Sequence, residues 1–126
     1  MSIKTQDYND VTVVELQGEL GSEINETLRK TISNIIQSPF SENLNRERLS
    51  TSIPKTGIVL DMSKVGFIDS VGLECLLWAR DYGDENNCQL RLAGLDENCR
   101  KILEITRLEN EFSCYSELSE AVKSLA

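Results

Sequence analysis

Extended and helical patterns alternate along the chain. Val11-Thr12-Val13-Val14-Glu15-Leu16 is dominated by β-branched residues and predicts a strand. A second extended run, Ile3 to Tyr8, stands before it across the turn pair Asn9-Asp10, so the first element expected is a hairpin. Gly18 and Gly21 are expected to break that strand. Ser22 is then placed to cap a helix, with Glu23 and Glu26 favourable at the positive end of its dipole. Ile24, Leu28, Ile32, Ile35 and Ile36 recur at steps of three and four, one apolar stripe of a helix that should stop before Pro39.

Further on, Gly57-Ile58-Val59-Leu60-Asp61 is a short apolar run suited to a buried parallel strand. Met62 to Ile68 reads as a loop leading to a helix that begins near Asp69-Ser70. Gln89 to Ala93 alternates polar and apolar residues as another strand does. Asp96 can cap a helix carrying Ile102, Leu103 and Ile105, and Phe112 to Tyr115 reads as a short strand. Ser116 is expected to begin a last helix with Leu118, Ala121, Val122 and Leu125 on its inner side. The order β-β-α-β-α-β-α-β-α predicts an α/β fold, a mixed, mostly parallel sheet with helices packed on it through right-handed crossovers. Residues 38–56, with Pro39, Pro54 and several Ser, Thr and Asn, read as a long polar loop insertion.

Composition narrows the chemistry. The 126 residues fit one domain, 1–126, with 40% hydrophobic and 27% charged residues, ordinary for a globular chain. A net charge of −8 disfavours binding to nucleic acid or an anionic membrane through a broad basic face and suits a partner with a basic or mixed surface. The absence of histidine removes Ser-His and Cys-His nucleophile pairs and histidine metal sites. Cys75, Cys88, Cys99 and Cys114 form no C-x-x-C pair and read as apolar fillers, so no metal site is expected. No apolar signal region or membrane-length stretch is seen, which leads to the expectation of a cytoplasmic protein with reduced thiols.

The chemistry concentrates in Leu60-Asp61-Met62-Ser63-Lys64-Val65-Gly66-Phe67-Ile68-Asp69-Ser70-Val71-Gly72-Leu73. This segment resembles the central motif of STAS domains, in which D-x-S-x-V precedes an apolar-D-S-x-G-L run at a helix start. Asp61, Ser63 and Val65 match its first part; Asp69, Ser70, Gly72 and Leu73 match the second. The resemblance extends to Val13 through Leu20, Leu92 through Leu95, Leu103 through Thr106, and Tyr115 through Leu118. It implies a bacterial anti-sigma factor antagonist, regulating transcription by binding rather than catalysis and needing no cofactor. Ser70 then takes the position of the serine phosphorylated by the partner, an anti-sigma factor that is also a serine kinase and itself binds ATP. Such antagonists commonly carry an aspartate shortly after the first long strand, where Gly21 stands here, followed by Ser22 and Glu23.

Each feature has a plainer alternative. Asp69-Ser70 could be a helix cap and nothing more; Asp61 and Ser63 read as structural, turning the strand end and bonding loop backbone. Winding Ser70 to Gly83 as a helix puts Val71, Cys75, Trp78 and Tyr82 on one flank, Leu73 and Leu77 on the other, and Gly72, Leu76 and Ala79 between. That arc is wider than one sheet contact needs, so the docking face is expected among Asp69, Ser70, Val71, Gly72, Leu73, Leu77 and Trp78, with packing by neighbouring helices the competing explanation. A homodimer stays open. So do two other functions: a constitutive STAS scaffold or transporter-associated subunit, and, far behind, a small enzyme using Asp61, Asp69 and Glu74 as acid/base carboxylates.

Overall fold

The computed structural model describes residues 2–8, 10–42 and 57–125, with side chains omitted for 38–42. Among these residues the chain forms five strands, β1 (Ser2–Tyr8), β2 (Val11–Leu20), β3 (Gly57–Ile68), β4 (Gln89–Ala93) and β5 (Ser113–Tyr115). Four α-helices accompany them, α1 (Ser22–Glu42), α2 (Ser70–Glu85), α3 (Glu97–Ile105) and α4 (Leu118–Ser124), with a 3-10 turn at Glu109–Glu111. The sheet order is β1-β2-β3-β4-β5, with β1 antiparallel to β2 and every later pair parallel. The predicted α/β order and the mixed, mostly parallel sheet are therefore observed.

The two faces of the sheet carry separate apolar clusters because strand side chains alternate between them. On one face, Val14, Leu16, Leu60 and Leu92 pack against Leu28 and Ile32 of α1, Leu76 of α2 and Leu103 of α3. On the other, Val11, Val13, Val59 and Ala93 are covered by Ala121 and Leu125 of α4. The short last helix thus shields only part of its face. Farther along the same strands stand Glu15 and Lys64, joined by a 2.9 Å ion pair.

Several boundaries differ from the sequence reading. β2 runs through Gly18 to Leu20, because Gly18 adopts φ +112° and absorbs a register shift instead of breaking the strand. α1 begins at Ser22 itself, so Gly21 is the flanking residue, and its carbonyl accepts from the amide of Ile24 at 3.2 Å. The helix also continues past Pro39 to Glu42; proline forfeits its own N–H bond, and here that loss falls in the last turn. Residues 38–42 of the expected loop are accordingly helical, while 43–56 lie outside the described residues, as does Asn9 of the turn pair. Met62 to Ile68 is the second half of β3 and not a loop. α4 starts at Leu118, with Glu117 at its cap position where Ser116 was expected near the start.

Cys75, Cys88 and Cys99 are buried, and Cys114 is exposed. Burial, reinforced by the Asp96 carboxylate, pushes the Cys99 thiol up to about 12. Burial of its sulfur raises the Cys114 thiol as well, so native protein should react with a thiol reagent slowly at exposed Cys114 and at the other three only on unfolding; equal rates at all four would refute this packing. Because the unfolded Cys99 ionises at an ordinary thiol value, its contribution to stability is complete below that value and lost as pH rises toward about 12. Unfolding midpoints followed through the alkaline range should fall accordingly.

Candidate functional site

The segment singled out in the sequence is built on an irregular strand. Along β3, the step from Asp61 to Lys64 opposes the shorter step from Glu15 to Gln17, and the step from Val65 to Phe67 opposes that from Gly18 to Glu19. Each shift leaves an extra residue on β3, as in a β-bulge. At the first, the Asp61 carboxylate accepts from the Ser63 amide at 3.1 Å and from its hydroxyl at 2.8 Å. The carboxylate serves an amide where the ladder is irregular.

The side of β3 toward β4 is paired only from Gly57 to Asp61. Beyond that point helix α3 supplies hydrogen bonds: the Asn98 side-chain amide donates to the Gly66 carbonyl at 2.8 Å, and the buried Cys99 thiol donates to the Val65 carbonyl at 3.4 Å. Gly94, with φ +73°, lies against Ser63, where an added Cβ would come within 3.0 Å of the serine Cβ. Asn98 was not singled out by sequence, and Cys99 only as an apolar filler; their bonds to β3 depend on a tertiary contact that no local motif signals.

At its end β3 turns directly into α2. Asp69 is the N-cap, with extended backbone, and its carboxylate accepts from the Gly72 amide at 2.9 Å. Leu20, at the end of β2, holds the junction, its carbonyl accepting from the Asp69 amide at 3.1 Å. A Cβ on Gly72 would collide with that same carbonyl oxygen, and one on Gly21 would fall on the Asp69 carboxylate. Two glycines therefore let the β2 end and the head of α2 meet backbone to backbone.

Ser70, first residue of α2, is exposed, and Asp69 is half-buried. Val71, Leu73, Leu77 and Trp78 are half-buried, while Gly72 is buried and serves the packing. The two flanks differ. Trp78 stacks on Tyr82 with centroids 5.1 Å apart and planes 11° from parallel, and the Arg29 guanidinium of α1 lies 5.0 Å from the Trp78 ring centroid. Gln37 of α1 donates to the Tyr82 hydroxyl at 2.5 Å. On this flank the neighbouring helix engages the aromatic side chains. On the other, Leu73 and Leu77 rest on the core with part of their surface in solvent.

Phe67, which sequence reasoning passed over inside an expected loop, is 45% exposed. The site thus joins a capped, exposed serine to apolar surface, an arrangement suited to docking a partner. Among the described residues no group of three or more Cys, Asp or Glu could hold a metal ion. Asp61 and Asp69 are each engaged by backbone amides. A cavity of about 500 Å³, lined by Arg80, Gln89, Arg91 and Glu111 among others, lies toward the start of β4, the opposite end of the sheet from Ser70. No described helix is long and apolar enough to cross a membrane.

A model of the STAS domain family matches residues 2–121. Among solved structures, the fold is similar to an anti-sigma factor antagonist from Mycobacterium paratuberculosis, at 22% identity and a TM-score of 0.75, covering 98% of this chain and 92% of that one. It is also similar to the anti-sigma factor antagonist SpoIIAA in its unphosphorylated form, at 18% identity and a TM-score of 0.72, covering 98% and 95%. A sulfate transporter family protein from Wolinella succinogenes shares the fold at 13% identity and a TM-score of 0.69, covering 92% and 84%.

The cap and the glycine contact carry measurable stability. Replacing Asp69 with Ala should cost about 1 kcal/mol, the usual worth of an N-cap side chain. Gly72→Ala should cost more, roughly 1–3 kcal/mol, because the methyl meets backbone that cannot swing aside. Urea unfolding of both variants measures this; a neutral Gly72→Ala would mean that the strand end and helix head are farther apart than described.

Proposed function

The chain belongs to the STAS domain family, and from that premise we propose that it is an anti-sigma factor antagonist whose binding is switched by phosphorylation of Ser70. The observation that carries the reading is the exposure of Ser70 on the first residue of α2, directly after the capping Asp69. A kinase can reach such a hydroxyl. The first turn of a helix also has amides outside the helical ladder and a positive partial charge, both favourable to a phosphate.

Unphosphorylated, the protein binds an anti-sigma factor; phosphorylated, it lets go. Half-buried Val71 and Leu73 flank Ser70, so a partner that covers them must also dehydrate position 70. A hydroxyl tolerates this. A dianion does not, unless it is paired, and it would stand beside Asp69 and exposed Glu74. An interface penalty of ~3 kcal/mol weakens binding on the order of a hundredfold, enough for a switch.

SpoIIAA, of similar fold, has been solved in unphosphorylated and phosphorylated forms, which supports extending the same chemistry to Ser70. The kinase is the anti-sigma partner, which brings ATP; this chain contributes the acceptor serine, no cofactor and no turnover. The site of action is the cytoplasm. The fold shared with a sulfate transporter family protein supports a second reading, a constitutive scaffold in which Asp69-Ser70 only begins a helix.

Candidate anti-sigma factor kinases, incubated with the protein, ATP and magnesium, test the choice, with the modified residue mapped by mass spectrometry. Phosphate should appear at Ser70 and be absent from Ser70→Ala. Partner affinity should hold in Ser70→Ala and fall on the order of a hundredfold in Ser70→Glu. Equal binding by wild type and Ser70→Glu would discard the switch and leave the scaffold.

A further inference from the structure

The sheet face that α4 covers in part extends to this end of the molecule. Resting on the docking reading, we propose that Phe67 anchors the partner and that the partner presents an apolar pocket rimmed by arginine and lysine.

Phe67 is a large apolar side chain held 45% in solvent only three positions before Ser70. Its neighbour Ile68 and the paired Leu20 belong to the main core, so Phe67 and its register partner Glu19 point to the other face. Among the described residues, α4 covers that face around Val11, Val13, Val59 and Ala93.

Exposed carboxylates occur at this end of the molecule. Glu19 is paired with it in register and exposed. Exposed Glu97 precedes Asn98, whose side chain bonds the carbonyl of Gly66, the residue before Phe67. Exposed Glu23 lies in the first turn of α1, two residues after Gly21, and exposed Glu74 follows the first turn of α2. The cation on this stretch of β3, Lys64, is occupied by Glu15.

An aromatic side chain within a charged rim is the anatomy of an interface anchor: the ring supplies buried area, the rim steers encounter. The backbone that carries the ring is also pre-organised. Asn98 and Cys99 tie the two carbonyls before it, and β2 holds the strand on the other side, so little ordering remains to be done on binding. The carboxylates select a basic rim opposite, since a like-charged one would be repelled.

Isotope-labelled protein titrated with a short peptide of leucines set among lysines and arginines, and with its glutamate counterpart, tests this by NMR. The basic peptide should move the amide signals of Glu19, Gly66, Phe67 and Asn98, and the acidic one should not. Its affinity should drop about tenfold or more in Phe67→Ala and in Glu19→Lys, and persist in Phe67→Tyr. Shifts centred elsewhere, no binding, or binding unchanged in Phe67→Ala overturn the proposal. Ser70→Glu separates the two ideas: loss of the peptide there sustains both, whereas retention there with loss in Phe67→Ala keeps this surface and removes the switch.

Discussion

The approach of the β2 end to the head of α2 governs everything at the site. Leu20 offers its carbonyl to the Asp69 amide and lies so close to Gly72 that no side chain fits between, while Gly21 yields its missing Cβ to the Asp69 carboxylate. A buried backbone contact of this kind cannot be shifted gradually, because the packed elements on either side do not compress. The position of Ser70 is therefore fixed by two strands and not by a loop. Exposure of its hydroxyl and rigidity of its backbone come from the same contact, and a binding switch needs both. A kinase acting as proposed would have to reach the hydroxyl, and a partner would have to find it in one place.

The strand leading to that junction is too irregular to show as a strand in the sequence pattern. Regular alternation would bury every second residue of β3, but beyond Leu60 the buried positions are Met62, Val65 and Ile68. Two register shifts insert residues on this strand, and the spacing becomes two, three, three. Neither a strand template nor a helix template fits such a run, and Asp, Ser, Lys and Gly within it look like loop composition. The irregularity is held in place by groups distant in sequence, Asn98 and Cys99 on α3 and Gly94 after β4, so no local window could have announced it.

Where structure is decided locally, the sequence was a good guide. Asp69 and Asp96 both cap helices with their carboxylates on the amide three residues ahead, as their positions before apolar periodic runs implied. The apolar stripe of α1 identified Ile24, Leu28, Ile32 and Ile36 as core. The element order, and with it the mostly parallel sheet, followed from the same periodicities. The flanks of α2 were harder. A helical wheel shows that apolar residues are too many for one contact, but it cannot say that Arg29 and Gln37 of α1 engage Trp78 and Tyr82. Phe67 was missed for the reason that β3 was: inside an apparent loop an aromatic residue has no face.

The departure at Gly21 also acquires a physical meaning. A side chain there, acidic or otherwise, would occupy the space into which the Asp69 carboxylate leans. Asp69 could then keep its bond to the Gly72 amide only by rotating away, and a second carboxylate would add repulsion to any phosphate at Ser70. With glycine, Asp69 does the capping, a phosphate placed on Ser70 would meet no further carboxylate from position 21, and the next acid of α1, Glu23, is exposed. The cap is thereby compact, and charge added by the proposed modification would fall on a site already filled on its inner side. A dianion at Ser70 must point outward, onto the surface that docking would dehydrate. Glycine at this position thus favours a switch that acts at the interface over one that acts by unfolding the helix.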